Sequence, residues 1–235
     1  MASESAELDR LRRAVGVQAI DGGTARAVTR ANVDGKRLFG GQMIAQSLAA
    51  CEHTVPAGMV PDSMHANLLG QGEPYDTIDY TIERVRDGGS LQHRDVRGVQ
   101  RGRPIVHTAV VTAKPRDGLT WQRPAMPEVG PPDVGGSQPP PWATELGDDG
   151  SEIVNPVGGD GGQVPSHPLW FRTSVDVPAN DIWLNAVVLA YWSDFGLNGA
   201  AIQAIWAAGA RPPARASPIR CGSTTRCTPT TGTCS

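Results

Sequence analysis

A chain of 235 residues has room for one large or two small domains and for a sizeable core. Its formal net charge of -3 offers no global attraction to nucleic acid or to an anionic membrane, and the charged opening MASESAELDRLRRAV lacks the apolar centre of an export signal. No window is apolar for long enough to span a bilayer, so a soluble, cytoplasmic protein is expected.

Residues 1–36 offer a short charged helix and then a polar, Gly-containing approach with strand-like alternation in part. Phe39-Gly40-Gly41-Gln42 opens a helix in which Ile44, Leu48, Cys51 and Val55 form one stripe. Ala45, Ala49 and Ala50 keep another side slim, which lets a sheet approach closely. The stretch Met64–Leu69 follows, and then Thr77–Val85, where Ile78, Tyr80 and Ile82 alternate with polar neighbours at the period of a half-buried strand. Arg86-Asp87-Gly88-Gly89 makes a turn, and Arg101-Gly102-Arg103 joins a strand over Ser90–Gln100 to one over Ile105–Ala113. One helix followed by an antiparallel run of strands implies an α+β unit with the sheet wrapped around the helix.

From Pro115 to Pro168 the composition turns to Pro, Gly, Asp and Ser, as expected of a linker or long loop. Trp170–Val177 then reads as a strand. Asn180–Asn198 reads as a helix that is apolar nearly all round, with Trp183, Ala186, Val187, Ala190, Tyr191, Asp194 and Leu197 on one face and Asn180 or Asp181 as its cap. An ionised carboxylate on a packed stripe is costly unless paired. Asp194 is therefore either satisfied by buried donors or kept for chemistry.

The remaining candidates are weaker. Cys51 reads as a small core residue, and Cys221, Cys227 and Cys234 lack the spacing and the nearby His of a zinc site, so neither metal nor cofactor is expected. His53, His93, His107 and His167 share no ligand spacing, and His65 reads either as a strand residue or as a base. Ser193 lacks a nucleophile elbow. Gly40-Gly41 suits either a phosphate cradle or a tight helix entry. Arg84, Arg86, Arg94, Arg97, Arg101 and Arg103 suit a solvated sheet face, with phosphate contacts as the alternative.

Taken together, FGGQMIAQSLAA, HANLLGQG, RVRDGGSLQHRDV, QRGRPIVHTAV and above all LAYWSDF resemble the type II acyl-CoA thioesterases, whose chain is a tandem pair of hotdog folds. The resemblance covers about Arg37–Ala113 and Leu169–Gly209. It implies an N-terminal hotdog over 1–114, a linker over 115–168, a partial C-terminal hotdog over 169–209 and an aberrant tail over 210–235. Leu68 and Leu91 stand where the family usually has Phe, and Gln71 where it has Arg. The implied activity is hydrolysis of a fatty acyl-CoA to free acid and coenzyme A, with no metal, and the implied assembly is a homo-oligomer. In that family an Asp on the central helix of the second hotdog works with a Thr and a Gln from later strands to activate water, and Asp194 matches the Asp. Gly40, Gly41, Gln42 and His65, in the matching first-hotdog segments, are the candidate substrate-binding residues.

After Gly209 the resemblance stops, and the Thr and Gln have no counterpart. The alternative reading is thus a non-catalytic acyl-CoA-binding protein or remnant, with a hotdog hydratase as a more distant third. Residues 210–235 contain no Leu, Val, Phe or acid and are expected to supply no strand. Such a composition arises when GC-rich DNA is read out of frame. Back-translated with GC-rich codons and read one base earlier, Ile219–Ser235 permits a Trp-Phe-His strand pattern like the family's next segment. Without later strands, Tyr191, Trp192 and Phe195 are expected to lose cover and the sheet to keep open edges prone to self-association.

Overall fold

The structure is a computed structural model that describes residues 2–30, 38–119, 121, 151–154, 170–173, 175–195 and 225–226. The charged opening forms α1 (Ala2–Val15), which buries Leu11, Ala14 and Val15 and carries Arg12 and Arg13 in its last turn, where cations complement the carbonyl end of the helix. Short strands β1 (Gln18–Ala19) and β2 (Thr24–Val28) follow, with Ala25 and Ala27 facing the core.

The Gly-Gly-Gln opening starts α2 (Gly40–Glu52), in which every residue from Gly41 to Cys51 is buried. Burial on all sides goes beyond the single apolar stripe read from the sequence. It is possible because Gly41, Ala45, Ser47, Ala49 and Ala50 are small, and because Gln42 and Gln46 find buried partners: both side-chain amides donate to the Ala14 carbonyl, at 2.8 and 3.3 Å. Those bonds satisfy a carbonyl in the last turn of α1 and tie the two helices together.

Four long strands complete the unit: β3 (Val60–Leu68), β4 (Thr77–Asp87), β5 (Leu91–Gln100) and β6 (Arg103–Ala113). Every pairing is antiparallel. The strand order is β1-β2-β4-β5-β6-β3, with a further short strand, β9 (Thr225–Arg226), beyond β3. Period-two burial holds along β4, β5 and β6, which turn Ile78, Tyr80, Ile82, Val96, Val106 and Val110 onto α2. The β5–β6 connection at Arg101-Gly102 has positive φ at both residues, 50° and 74°, as a two-residue hairpin turn requires. Gly98 has no room for a side chain, since a Cβ would meet Val106 Cγ1 at 2.5 Å and the Tyr80 ring at 2.9 Å. That close approach lets the buried Tyr80 hydroxyl reach Gln46 Oε1 at 2.9 Å. The α+β arrangement expected from the pattern, a sheet wrapped around a central helix, is therefore present.

The second half departs from its expectations in four places. Ser151–Val154, inside the stretch read as a linker, forms β7 and pairs with β8 (Trp170–Thr173); its Ile153 and Val154 are the strand-favouring residues in an otherwise Pro- and Gly-rich tract. Thr225–Arg226, in the tail expected to give no strand, pairs with Ser63–Met64 on the otherwise open side of β3, where unpaired backbone groups accept even a two-residue partner. The remaining tail and the segment that would follow Gly209 lie outside the described residues. The helix read over Asn180–Asn198 is shorter: α3 runs Ile182–Trp192, capped by Asp181, whose carboxylate accepts from Leu184 N at 3.0 Å. Finally, Tyr191, Trp192 and Phe195 are not left bare. Tyr191 is buried and the other two are half-buried, packed onto the core of the N-terminal half.

Candidate active site

α2 begins where α3 ends, and two glycines allow the contact. A Cβ on Gly41 would lie 2.2 Å from the Tyr191 carbonyl oxygen, and one on Gly40 would lie 2.6 Å from Asp194 Oδ2 and 2.7 Å from Leu68 Cδ1. A side chain at Gly41 would push the two helices apart, and one at Gly40 would displace the Asp194 carboxylate and the Leu68 side chain. The tight-entry reading of Gly40-Gly41 fits this geometry, although the close neighbour at Gly41 is a helix rather than the sheet. Phe39, the residue before α2, closes the junction: its ring stacks on Phe195 at 4.5 Å and meets Tyr191 edge-on at 5.0 Å.

Phe39 cannot supply a side-chain oxygen, so the start of α2 has no cap of its own. Asp194 fills that place from 153 residues away: its Oδ2 accepts from Gly41 N at 2.9 Å. Asp194 does not sit on the helix, as the spacing had suggested; it lies in the turn just past Ser193, the C-cap of α3. The difference matters electrostatically. The carbonyl end of α3 disfavours a negative charge there, whereas the amide end of α2 favours one. Burial pushes the Asp194 carboxyl above its ordinary value of 3.8, and the Gly41 hydrogen bond pulls it partly back. Among the described residues Gly41 is the one hydrogen-bond donor to Asp194.

Between α2, α3 and β3 lies a narrow apolar cleft with a free volume of about 20 Å³, room for little more than one water. Ile44, Leu48, Met64, Ala66, Ala186 and Leu189 line it, with Asp62, Ser63 and Ser193, the residue before Asp194, as its polar members. The Ser193 hydroxyl donates to the Ala190 carbonyl at 2.7 Å, a capping bond that agrees with the absence of a nucleophile motif. This groove was not visible in the sequence, because its walls come from three segments far apart in the chain.

The other candidates fall elsewhere. Gln42 is buried and its amide is engaged at both ends, with Nε2 on Ala14 O and Oε1 accepting from Arg30 N at 3.0 Å. His65 is exposed on β3 between Met64 and Ala66, whose side chains face the core, so it points away from the Asp194 junction. Arg94 belongs to no solvated face: it is fully buried, with its guanidinium donating to Thr54, Gln92 and Asp87 side chains and to the Thr54, Arg86 and His93 carbonyls. Its even-numbered position with Gln92 and Val96 was the available signal. His107 pairs with Asp95 across β5 and β6. Cys51 is buried, which raises its thiol to about 12 and removes it from nucleophilic chemistry. Among the described residues no group of three or more His, Cys, Asp or Glu is placed to hold a metal.

Comparison with known proteins bears on the same regions. Residues 29–113 match the family model described as the acyl-CoA thioesterase N-terminal domain. The chain is 29% identical over 178 residues to acyl-CoA thioesterase 2 of Haemophilus influenzae, an alignment that covers 68% of this chain and 61% of that protein. The chain thus spans less than two thirds of that relative's length. Among solved structures, an acyl-CoA thioesterase II from Mycobacterium marinum is 26% identical with a TM-score of 0.64, covering 82% of this chain and 69% of the other. A tesB protein of Mycobacterium avium subs paratuberculosis has the same fold, with a TM-score of 0.70 at 23% identity over 87% of this chain and 75% of the other.

Proposed function

We propose that this chain, whose residues 29–113 match the acyl-CoA thioesterase N-terminal domain, hydrolyses an acyl-CoA thioester with Asp194 as general base. The observation that carries the reading is a half-buried carboxylate held by the Gly41 amide, one residue from the lining of an apolar cleft. The cleft is lined mostly by apolar side chains of the kind an acyl chain packs against once the cleft widens, and Ser193, the residue before Asp194, is part of its lining.

In the proposed step Asp194 accepts a proton from water while the water oxygen bonds to the thioester carbonyl carbon. The tetrahedral intermediate collapses with cleavage of the C–S bond, and the proton passes from the Asp194 carboxyl to the departing sulfur, giving free acid and the coenzyme A thiol. A carboxyl raised by burial is a better base than an exposed one, and such a group typically contributes about 10²- to 10⁴-fold. A homo-oligomer and a cytoplasmic setting belong to the same proposal.

The test is thiol release from a long saturated acyl-CoA by the purified full chain. Turnover that disappears in Asp194→Asn supports the reading. Binding of acyl-CoA without turnover overturns it and favours the non-catalytic alternative.

A further inference from the structure

We propose that the first turn of α2 is a positioning device for Asp194: the Gly41 N–H holds the carboxylate, and the absent side chain of Gly40 keeps open the space that the carboxylate occupies. The inference rests on the hydrolytic reading above and assigns roles to two residues that act through Asp194, without contact to the substrate.

Three observations support it. The hydrogen bond from Gly41 N to Asp194 Oδ2 is 2.9 Å and joins segments 153 residues apart, so it survives only while α3 is docked on α2. The two glycines differ in what excludes a side chain: Gly41 faces the backbone carbonyl of Tyr191, whereas Gly40 faces Asp194 Oδ2 itself at 2.6 Å from a would-be Cβ. A methyl at Gly40 therefore displaces the carboxylate together with the end of the Leu68 side chain, whereas a methyl at Gly41 meets the α3 backbone and the Phe39 ring. Third, among the described residues no other charged group is bonded to Asp194. The first turn of α2 carries no acidic side chain and the last turns of α2 and α3 no basic one, and Arg12 of α1 pairs with Asp181 at the opposite end of α3, at 3.7 Å. On β3, His65 is exposed on the far face, and Asp62 lines the groove rather than bonding to Asp194. The amide that would cradle a phosphate at this helix start is already bonded to the carboxylate.

The experiment uses the full chain with ¹³C-carboxyl aspartate, read by NMR titration of the Asp194 resonance, which Asp194→Asn identifies by its loss. Replacing the Gly41 residue by glycolate removes the N–H without adding an atom at Cα. Loss of one hydrogen bond to a charged group is expected to raise the Asp194 midpoint by about one pH unit and to lower kcat about tenfold with KM nearly unchanged. Gly40→Ala, which keeps the N–H, is the second variant in case the ester does not fold, and it is expected to move the Asp194 midpoint and lower kcat at least as much. An Asp194 midpoint unchanged in both variants overturns the inference even if the parent chain hydrolyses thioesters. If the parent chain shows no turnover but the ester still moves the midpoint, the positioning of Asp194 stands and the hydrolytic reading fails.

Discussion

α2 and α3 lie side by side, yet they are covered by different means. α2 is wrapped by the long strands β3, β4, β5 and β6 and buried from Gly41 to Cys51. α3 rests chiefly on α2, with Ala186, Val187, Val188, Ala190 and Tyr191 buried, while β8, the strand before it, pairs with β7. One apolar core runs through both, since Ala186, Val187, Val188, Ala190 and Tyr191 belong to the same buried cluster as α2 and the sheet; the position of the second helix is set by the first. Because Asp194 follows α3, the candidate catalytic group is placed by a contact between halves and not by the sheet.

Perturbations at the two places separate these roles. The largest effect is expected from Asp194→Asn, which removes about 10²- to 10⁴-fold of turnover as measured by thiol release. Ile78→Ala, in the fully buried face of β4, is expected to cost about 2–5 kcal/mol in a denaturant titration and to unfold both halves together. Arg94→Met is expected to cost about 1–3 kcal/mol, because Thr54 and Gln92 lose a buried partner at the far end of α2, and to leave the Asp194 junction intact. Phe39→Leu keeps the sheet but removes the ring contacts with Tyr191 and Phe195; about 1 kcal/mol is expected, with faster amide exchange confined to α3. If Phe39→Leu instead loosened the sheet as well, the ring junction would be coupled to the whole of the shared core.

The pH dependence of stability has a definite sign. The folded Asp194 carboxyl lies above 3.8, so the folded chain binds this proton more tightly than the unfolded one, and stability falls as pH rises from the unfolded value through the folded one. It stays lower above that window. Asp194→Asn should therefore be more stable than the parent near neutral pH while losing turnover. An equal or lower melting temperature there would show that the Gly41 bond offsets the burial entirely.

The elements legible in the sequence were those with strong local periodicity: α2 from its Gly-Gly-Gln opening, β4 from Ile78, Tyr80 and Ile82, and the tight Arg101-Gly102 turn. Asp194 was legible as a costly carboxylate in an apolar setting. Its partner was not, because a cap supplied from 153 residues away leaves no local spacing to read, and only the Phe at the cap position hinted that α2 lacked its own. Arg94 misled for a related reason. A single Arg on the inward parity of β5 looks like its neighbours until Thr54, Gln92 and Asp87 are brought around it. The short strands β7 and β9 escaped because pairing, rather than composition, decides whether a two- to four-residue segment is a strand.

The most direct test of a site assembled from both halves is the Gly41 amide proton resonance followed through a pH titration of the full chain. It should titrate with a single midpoint above the ordinary carboxylate value, and that step should vanish in Asp194→Asn. A Gly41 resonance that does not titrate, or that titrates equally in the variant, would contradict the docking of α3 on the start of α2.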